Sequence, residues 1–395
     1  MVECAAEASS MKRIAIFCDG TWNGLDAPEP TNVVKLAEAV AGADAEGAPQ
    51  IVWYGEGVGT GQPVLGRAEK FLGGAFGVGL MANVEAAYRF LVFNHAPGDA
   101  IYIFGFSRGA FTARTLAGLI RNAGIVRRSS ARRIKDAVRL YRSRDPNDHP
   151  DADRACAFRA EHAPDMHVSE HDLAWRRANR PGLAERSTPL TIRHMGLWDT
   201  VGALGVPNHL FIAALFNRRY RFHDARISAM VESARHALAI DETRRIFDAS
   251  PWDRDKLDRL NAEADVEPAP YQQQWFPGDH GSVGGGGDVT GLSDGALLWV
   301  KAGAEAAGLR FEPDAISGLA PDACAPLRNI SGKKGVDLLG WVSRRPRSGP
   351  ERLDAVSDPA VTRWRSPPET LPEREVYRPA TLKRVAAELD APPAG

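Results

Sequence analysis

The sequence predicts an α/β protein with a mostly parallel central sheet and helices on both sides of it. Short apolar runs recur along the chain, and segments with apolar residues at helical spacing lie between them. The early runs are almost continuously apolar, which is typical of strands that are buried on both faces. Strands and helices in alternation predict βαβ units, and the strands of such units are parallel.

Each predicted element follows from a local pattern. Thr31 and Asn32 can cap a helix that continues through Val40, and another helix is predicted to begin directly after Ser107. Residues 208–250 have helical spacing and are predicted to be helical throughout. The predicted strands are 13–17, 50–54, 100–104, 190–198 and 271–276, and the further predicted helices are 83–95 and 292–307.

Residues 127–186 lack a strand pattern and are rich in Arg, Asp, His and Ala. We expect them, together with residues 208–265, to be helical insertions that form a cap over the carboxyl ends of the strands. The main domain is predicted at 11–310, with residues 311–395 as a C-terminal extension packed on it. Four histidines lack the spacing of metal ligands and are predicted on the surface: His149, His162, His167 and His171.

Composition and charge exclude several classes of function. The chain has 395 residues, of which 44% are hydrophobic and 25% charged, and its net charge is −1 at pH 7. A balanced charge gives no field that would track phosphates, so no nucleic-acid partner is expected, and the basic run 343–347 is interpreted as a solvated loop. No apolar run reaches the roughly 18 to 20 residues that a membrane-spanning helix requires.

Residues 1–10 lack the basic and apolar regions of a secretory signal. The four cysteines lie far apart, without metal-ligand spacing, and are interpreted as reduced thiols. We therefore expect a cytoplasmic protein, which a dedicated secretion system could still export. We expect no metal and no other cofactor.

The pattern Gly-x-Ser-x-Gly stands at residues 105–109, between a predicted strand and a predicted helix. In such a connection the serine adopts a strained conformation at the carboxyl end of the strand, with its hydroxyl exposed, and the flanking glycines let two backbones approach. This context predicts that Ser107 is a nucleophile. The alternative is a plain connection between a strand and a helix.

Two further polar residues follow predicted strands. Asp199 comes directly after the fourth predicted strand, where it could orient a catalytic histidine or stabilise a turn. His280 follows the last predicted strand on a glycine-rich loop, where it could act as a general base or only solvate the loop. The order Ser107, Asp199, His280 is that of α/β-hydrolases. His236 is an alternative catalytic histidine, although a structural role on a helix is favoured.

The first predicted strand ends in a loop that carries Asp19, Gly20 and Thr21. Ligands bind at this edge of open α/β sheets, so backbone N–H groups of the loop could face a developing oxyanion; an ordinary Asp-Gly turn is the alternative. Residues 55–61 lack the Gly-Lys-Ser/Thr ending of a phosphate-binding loop, which favours a rim of the active site. Residues 71–82 could form an acyl-binding surface or pack in the core.

Several long motifs, in order, closely resemble a bacterial α/β-hydrolase family that contains the phospholipase effectors of type VI secretion systems. This family was formerly described as a domain of unknown function, and the likeness runs from Arg13 to about Trp299. The motifs are Ile-Phe-Cys-Asp-Gly-Thr-Trp-Asn at 16–23, Gly-Val-Gly-Thr at 57–60, Gly-Phe-Ser-Arg-Gly-Ala-Phe at 105–111, Leu-Trp-Asp-Thr-Val-Gly at 197–202 and Trp-Phe-Pro-Gly-Asp-His at 275–280.

The resemblance implies that Ser107 is the nucleophile, Asp199 the orienting acid and His280 the base. It also implies that the loop at 19–21 lies near the oxyanion site. The sequence departs from the family at Ser282, where relatives often have Asp.

We therefore expect a cofactor-independent serine hydrolase that cleaves carboxylic esters of lipids or phospholipids through an acyl-enzyme. Backbone N–H groups of Arg108 and of the Gly20 region would stabilise the oxyanion. The expected partner is a lipid ester, with peripheral membrane contact left open. Two alternatives remain: a non-catalytic binding or regulatory protein on the same scaffold, and a metal-assisted phosphodiesterase with Asp19, Asp199 and His280 as ligands.

Overall fold

The structure, a computed structural model, describes residues 11–20, 23–57, 75–202, 227–331 and 344–392, with the backbone alone at 75–78. The strands are β1 (Arg13–Cys18), β2 (Gln50–Gly55), β3 (Ala100–Phe106), β4 (Met166–His167), β5 (Thr188–Pro189), β6 (His194–Trp198), β7 (Ala234–Ala239) and β8 (Tyr271–Phe276). The helices are α1 (Asn32–Glu38), α2 (Ala75–Asn94), α3 (Arg108–Ala123), α4 (Ile134–Arg142), α5 (Asp153–His162), α6 (Glu170–Asn179), α7 (Pro181–Ala184), α8 (Arg254–Ala264), α9 (His280–Gly284), α10 (Gly291–Ala306), α11 (Asp358–Arg365) and α12 (Ala386–Asp390).

Six of these strands form one sheet in the order β2-β1-β3-β6-β7-β8, while β4 and β5 pair separately. All neighbours in the large sheet are parallel. In the centre, Phe104 of β3 lies opposite Phe17 of β1 and Gly196 of β6. The predicted α/β-hydrolase fold with a mostly parallel sheet is confirmed, and the carboxyl ends of the six strands meet at one edge.

Helices cover both faces of the sheet because each buried strand sends alternate side chains to opposite sides. In β1, Ile14 and Ile16 pack in the apolar cluster that includes α2, α3 and α4, whereas Ala15 and Phe17 pack in the cluster that includes α1 and α10. Phe17 stacks on Phe104, with ring centroids 4.7 Å apart. The sheet is therefore the middle layer of three.

Several predictions fall wholly or partly outside the described residues, namely those for Thr21, for residues 58–61 and for residues 71–74. Leu80 and Met81, at the end of the apolar run 71–82, are buried in the core. Among the helices that the structure describes, none is long and apolar enough to cross a bilayer.

The prediction that residues 208–250 are helical throughout is wrong. Residues 203–226 lie outside the described chain, but β7 is an interior strand between β6 and β8. Its sequence, Ala-Arg-His-Ala-Leu-Ala, contains three alanines, which favour helices and are depleted in strands. Pairing on both sides within the buried sheet overrides this local propensity.

Residues 127–186 are mainly helical, as predicted, but they do not form a cap over the carboxyl edge. Tyr141 packs against Gly118 of α3, and Arg159 Nη1 donates to the Asn122 carbonyl oxygen at 2.7 Å. Asn122 lies about 20 Å along the helix axis from Arg108. The insertion therefore packs against the half of α3 that is remote from the carboxyl edge.

The prediction of surface positions for the four histidines is wrong for His167. This residue lies in β4 and is only 6% exposed, and its Nδ1 lies 3.1 Å from Ser187 Oγ. His149 and His171 are exposed, and His162 is half-buried. Both residues of β4 are buried, and this short strand pairs with β5.

The C-terminal segment 344–392 packs against β7 and β8. Trp364 of α11 lies in an apolar cluster with Trp275 of β8. The Tyr377 hydroxyl donates to Asp241 Oδ2 at 2.8 Å, directly after β7. These contacts hold the segment beside the carboxyl edge of the sheet.

A buried ion cluster stabilises the helical insertion. Asp172 Oδ1 lies 3.0 Å from Arg159 Nη2, and Asp172 Oδ2 lies 3.5 Å from Arg176 Nε. All three side chains are fully buried. No solvent screens these buried charges, so the two guanidinium groups depend on the Asp172 carboxylate for compensation.

Replacing Asp172 by Ala should lower the free energy of unfolding by about 3 to 5 kcal/mol, because two buried charges lose their compensation. The matched control is Asp136→Ala, whose carboxylate also faces two arginines, Arg133 and Arg139, that are more than half exposed. The control should change the free energy by about 1 kcal/mol or less. Urea unfolding measures both variants, and equal losses would contradict the role of the buried cluster.

Candidate active site

Ser107 lies between β3 and α3 with φ 59° and ψ −123°, a left-handed conformation that non-glycine residues rarely adopt. Strain of this kind persists where the surrounding structure enforces it, and it is common at functional sites. The Ser107 N–H donates to the Trp198 carbonyl oxygen at 3.0 Å. The pattern predicts an exposed serine hydroxyl, and this prediction is wrong. Ser107 is only 3% exposed, because His280 and Gly20 pack against it.

The sharp turn closes because Gly105 and Gly109 have no side chains. A Cβ on Gly109 would lie 2.1 Å from the carbonyl oxygen of Cys18, and a Cβ on Gly105 would lie 2.6 Å from the carbonyl oxygen of Gly109. The start of α3 therefore lies directly against the end of β1. This close approach places Ser107 beside the loop that follows β1.

The structure brings Ser107, Asp199 and His280 together at the carboxyl edge. His280 Nε2 lies 2.8 Å from Ser107 Oγ, and His280 Nδ1 lies 2.5 Å from Asp199 Oδ2. A carboxylate can only accept, so the proton of the neutral imidazole is on Nδ1 and Nε2 accepts from the serine hydroxyl. In this arrangement an acid orients an imidazole that can act as a general base toward a serine.

Several groups hold His280 in position. Its ring lies near the rings of Phe106 and Phe247, with the centroids 4.6 Å away in each case. Its backbone N–H donates to Glu242 Oε2 at 3.3 Å. Asp279 is the N-cap of α9, so the backbone that carries the imidazole begins in a capped turn.

Ser282 ties α9 to a neighbouring loop. Its N–H donates to Asp279 Oδ1 at 3.0 Å, and its hydroxyl donates to the Leu327 carbonyl oxygen at 2.8 Å. The residue is 1% exposed. Position 282 therefore ties the helix that begins at His280 to the segment at Leu327.

Asp199 is fully buried and has a φ of 39°. Its Oδ1 accepts from the Ala239 N–H at 2.9 Å, and the Arg347 guanidinium contacts both carboxylate oxygens. Burial alone would raise the pKa of Asp199, but the Arg347 charge and the hydrogen bonds from His280 and Arg347 outweigh burial and hold that pKa well below its usual value. Asp199 is therefore ionised near neutral pH.

Asp19 is buried in the loop after β1 and organises it. Its Oδ1 accepts from the Gly20 N–H at 2.6 Å, and its Oδ2 accepts from the hydroxyls of Thr31 and Tyr54, both at 2.8 Å. Burial raises the pKa of Asp19 by more than these hydrogen bonds lower it. Gly20 lies next to Ser107, since a Cβ on Gly20 would be 3.3 Å from the serine Cβ. The Gly20 N–H itself is bonded to Asp19.

Arg108 is the first residue of α3, directly after the serine. The N–H groups of a first helical turn point out of the amino end of the helix, where the helix dipole is positive. Burial lowers the pKa of the Arg108 guanidinium to about 10. The amino end of α3 therefore brings positive potential next to the serine.

His236, the alternative catalytic histidine, lies on β7 and not on a helix. Its Nε2 lies 2.9 Å from Thr200 Oγ1, its Nδ1 lies 2.9 Å from Gln273 Oε1, and burial lowers its pKa to about 3. It is therefore a neutral ring that supports the turn after Asp199. Within the described ranges, no group of three or more His, Cys, Asp or Glu side chains could hold a metal ion.

Three groups around the site were missed from the sequence: Arg347, Glu242 and Phe247. The interpretation of residues 343–347 as a solvated loop is wrong for Arg347, which is 7% exposed because it pairs with the buried Asp199. Glu242 and Phe247 follow β7, so recognising that strand would have placed them at this edge. No local pattern distinguishes Arg347 from the arginines beside it.

The chain is an α/β-hydrolase-fold protein: its parallel sheet brings together a serine after β3, a histidine after β8 and an acid after β6. The profile described as "T6SS, Phospholipase effector Tle1-like, catalytic domain" matches residues 12–302. The chain therefore belongs to the family of type VI secretion phospholipase effector Tle1-like catalytic domains, and the predicted resemblance is confirmed.

One relative is the uncharacterized protein YEL023C of Saccharomyces cerevisiae, which is 27% identical over 254 residues. The match covers 62% of this chain and 33% of the yeast protein, so the chain spans about a third of that relative.

Three solved structures are similar to parts of the chain. An uncharacterized protein from Pseudomonas aeruginosa is 17% identical, with a TM-score of 0.41, over 80% of this chain and 50% of that protein. The Tle1 effector bound to the VgrG spike of the type 6 secretion system is 18% identical, with a TM-score of 0.34, over 70% of this chain and 51% of the effector chain. Acyl-protein thioesterase 2 of Zea mays is 12% identical, with a TM-score of 0.28, over 75% and 95%.

Replacing Gly109 by Ala should destabilise the protein by about 3 kcal/mol or more, because a Cβ cannot fit against the backbone oxygen of Cys18. The matched control is Gly182→Ala, also the second residue of a helix, where a Cβ meets nothing within 4 Å. The control should change stability by about 0.5 kcal/mol or less. Urea midpoints at unchanged slope measure both, and a stable Gly109→Ala variant would refute the close approach.

Proposed function

We propose that this chain is a serine hydrolase that cleaves carboxylic ester bonds of phospholipids or other lipids through an acyl-enzyme on Ser107. The observation that carries the proposal is the position of His280, which lies 2.8 Å from Ser107 Oγ and 2.5 Å from Asp199 Oδ2. The lipid part of the proposal rests on the family, whose description names a phospholipase.

In the proposed reaction, His280 Nε2 takes the hydroxyl proton of Ser107 while Oγ attacks the acyl carbon. Asp199 stabilises the imidazolium and stays ionised. The bond to the leaving alcohol then breaks, and His280 donates its proton to the alcohol oxygen. Water, deprotonated by His280, attacks the acyl-enzyme; the fatty acid leaves and the proton returns to Ser107.

The oxyanion of the tetrahedral intermediate requires nearby hydrogen-bond donors. We assign the backbone N–H of Arg108 to this role, because in this fold the residue after the nucleophile supplies one donor. A donor from the loop at Asp19, Gly20 and Thr21 stays a prediction. The bond between the Gly20 N–H and Asp19 supports a role of Asp19 in shaping this loop.

Two features weigh against the metal-assisted alternative. Both oxygens of Asp199 contact the Arg347 guanidinium, so a cation already occupies the space that a metal ion would need. Both oxygens of Asp19 accept hydrogen bonds from Gly20, Thr31 and Tyr54. Neither carboxylate presents a vacant pair of oxygens toward His280.

Replacing Ser107 by Ala should lower kcat for p-nitrophenyl esters by a factor on the order of 10⁵ or more, because the nucleophile is lost. The control is Ser129→Ala, an exposed serine on the helical insertion, which should keep the wild-type rate. Chain length is varied in the ester series, and fatty-acid release from phospholipid vesicles tests the lipid class. Added EDTA should leave these rates unchanged.

Labelling with a fluorophosphonate, which bonds to an activated serine oxygen, separates the alternatives. The wild type should be labelled at Ser107, and the Ser107→Ala variant should not be. Equal ester turnover by the two would contradict the serine mechanism. Absence of both labelling and turnover would indicate a non-catalytic scaffold, and phosphodiester turnover that EDTA abolishes would indicate a metal-assisted enzyme.

A further inference from the structure

A buried arginine from the C-terminal segment contacts the acid of the proposed catalytic site. Arg347 Nη1 lies 2.6 Å from Asp199 Oδ1, and Nη2 lies 2.9 Å from Asp199 Oδ2. The pair is bidentate, in the geometry that matches the planar guanidinium to a carboxylate. Asp199 is 0% exposed and Arg347 is 7% exposed, so water does not screen the pair.

We propose that Arg347 is a positioning residue of this site, which holds Asp199 in place and weakens the pull of that carboxylate on the proton of His280. The inference rests on the proposed function for its consequence in catalysis. The pairing of Arg347 with the buried carboxylate stands on the structure alone.

The geometry explains how Arg347 fixes Asp199. Both oxygens of the carboxylate are engaged, Oδ1 by Arg347 and the Ala239 N–H, and Oδ2 by Arg347 and His280. Rotation of the carboxylate would break at least three of these hydrogen bonds at once. The oxygen that faces His280 therefore stays in the plane in which it accepts the Nδ1 proton.

Arg347 also contacts the residue whose ring packs against the imidazole of His280. Its Nη2 donates to the carbonyl oxygen of Phe247 at 2.5 Å, and its Nη1 donates to that of Ala239 at 2.9 Å. The Phe247 ring stacks on His280 at an interplanar angle of 21°. One guanidinium therefore fixes both the acid that bonds to the imidazole and the residue that packs against its face.

The charge of Arg347 opposes the protonation of His280. A carboxylate next to an imidazole favours the imidazolium, and a guanidinium shared by the same carboxylate opposes that effect. Loss of the guanidinium should therefore favour protonation of His280. Within the described residues, charged groups near the cluster include Asp241, Glu242, Arg244 and Asp248 after β7, Asp279 at the start of α9, Arg108 and Arg114 on α3, and Asp19 after β1. They are unchanged in every variant below.

Arg347 lies beyond residue 302, where the family match ends. The segment that carries it is held next to the site, because the Arg345 N–H donates to the Thr243 carbonyl oxygen at 2.8 Å and the Tyr377 hydroxyl donates to Asp241. The proposed site is therefore completed by a segment outside the matched catalytic domain.

The test follows the titration of the His280 imidazole by NMR in the full chain labelled with ¹⁵N-histidine, with the resonance assigned by its loss in a His280→Gln variant. Arg347→Met removes the charge and keeps an apolar chain of similar length. Its titration midpoint should move to higher pH by about one unit. The matched control is Arg345→Ala, an exposed arginine in the same run, and its midpoint should equal that of the wild type.

Ester hydrolysis supplies the second measurement. Arg347→Met should lower kcat on the order of 100-fold, because the acid is displaced. KM should stay unchanged, because Arg347 is buried and its guanidinium contacts Asp199 and backbone carbonyl oxygens. The acid limb of its pH profile should move to higher pH with the NMR midpoint. Arg347→Lys keeps the charge without the bidentate geometry, so its midpoint should stay near the wild-type value while kcat falls.

An unchanged midpoint in Arg347→Met would overturn the proposal, since a purely structural role would lower stability without moving the titration. If Arg347→Met does not fold, Arg347→Lys decides. A wild-type kcat in Arg347→Lys would overturn the proposal, whereas a reduced kcat with an unchanged titration midpoint of His280 would support it. If the wild type neither hydrolyses esters nor reacts with a fluorophosphonate, the proposed function fails, and the NMR midpoints alone decide the role of Arg347.

Discussion

The common direction of six parallel strands is the constraint on which the site depends. Ser107, Asp199 and His280 follow three different strands, and the imidazole joins partners that are 173 and 81 positions away in the chain. Parallel strands end at one edge, so loops that are distant in sequence meet there without long excursions. An antiparallel neighbour at any of these positions would have sent its residue to the opposite edge.

The site also depends on the burial of charged side chains, which have to be compensated by neighbouring groups. Asp199 lies at the bottom of the site with no exposed surface, where an isolated carboxylate would be costly. Hydrogen bonds from Ala239 and His280 and the bidentate Arg347 guanidinium compensate it. Burial thereby becomes an advantage, because solvent does not screen the ion pair. The same principle holds in the helical insertion, where Asp172 compensates Arg159 and Arg176.

Local patterns predicted the elements that local physics controls. The predicted strand 271–276 agrees with β8, and the predicted strand 100–104 lies within β3, because apolar and aromatic residues there suit a buried strand. The helical prediction failed at β7, whose alanines favour a helix in isolation but are buried between two strands. For residues 127–186 the predicted cap failed for a different reason: helical spacing shows that a segment is a helix, and it does not show which end of α3 that helix contacts.

The sequence by itself determined the class of fold and the three residues that converge, because strand ends, turn residues and chain order can all be recognised from short stretches of sequence. Only the tertiary structure decided how deeply Ser107 and Asp199 are buried and that the Gly20 N–H bonds to Asp19. It alone decided that Arg347 reaches Asp199. The physical reason is that burial and ion pairing arise between segments far apart in the chain, and an arginine has the same local signature in a solvated loop as beside a buried carboxylate.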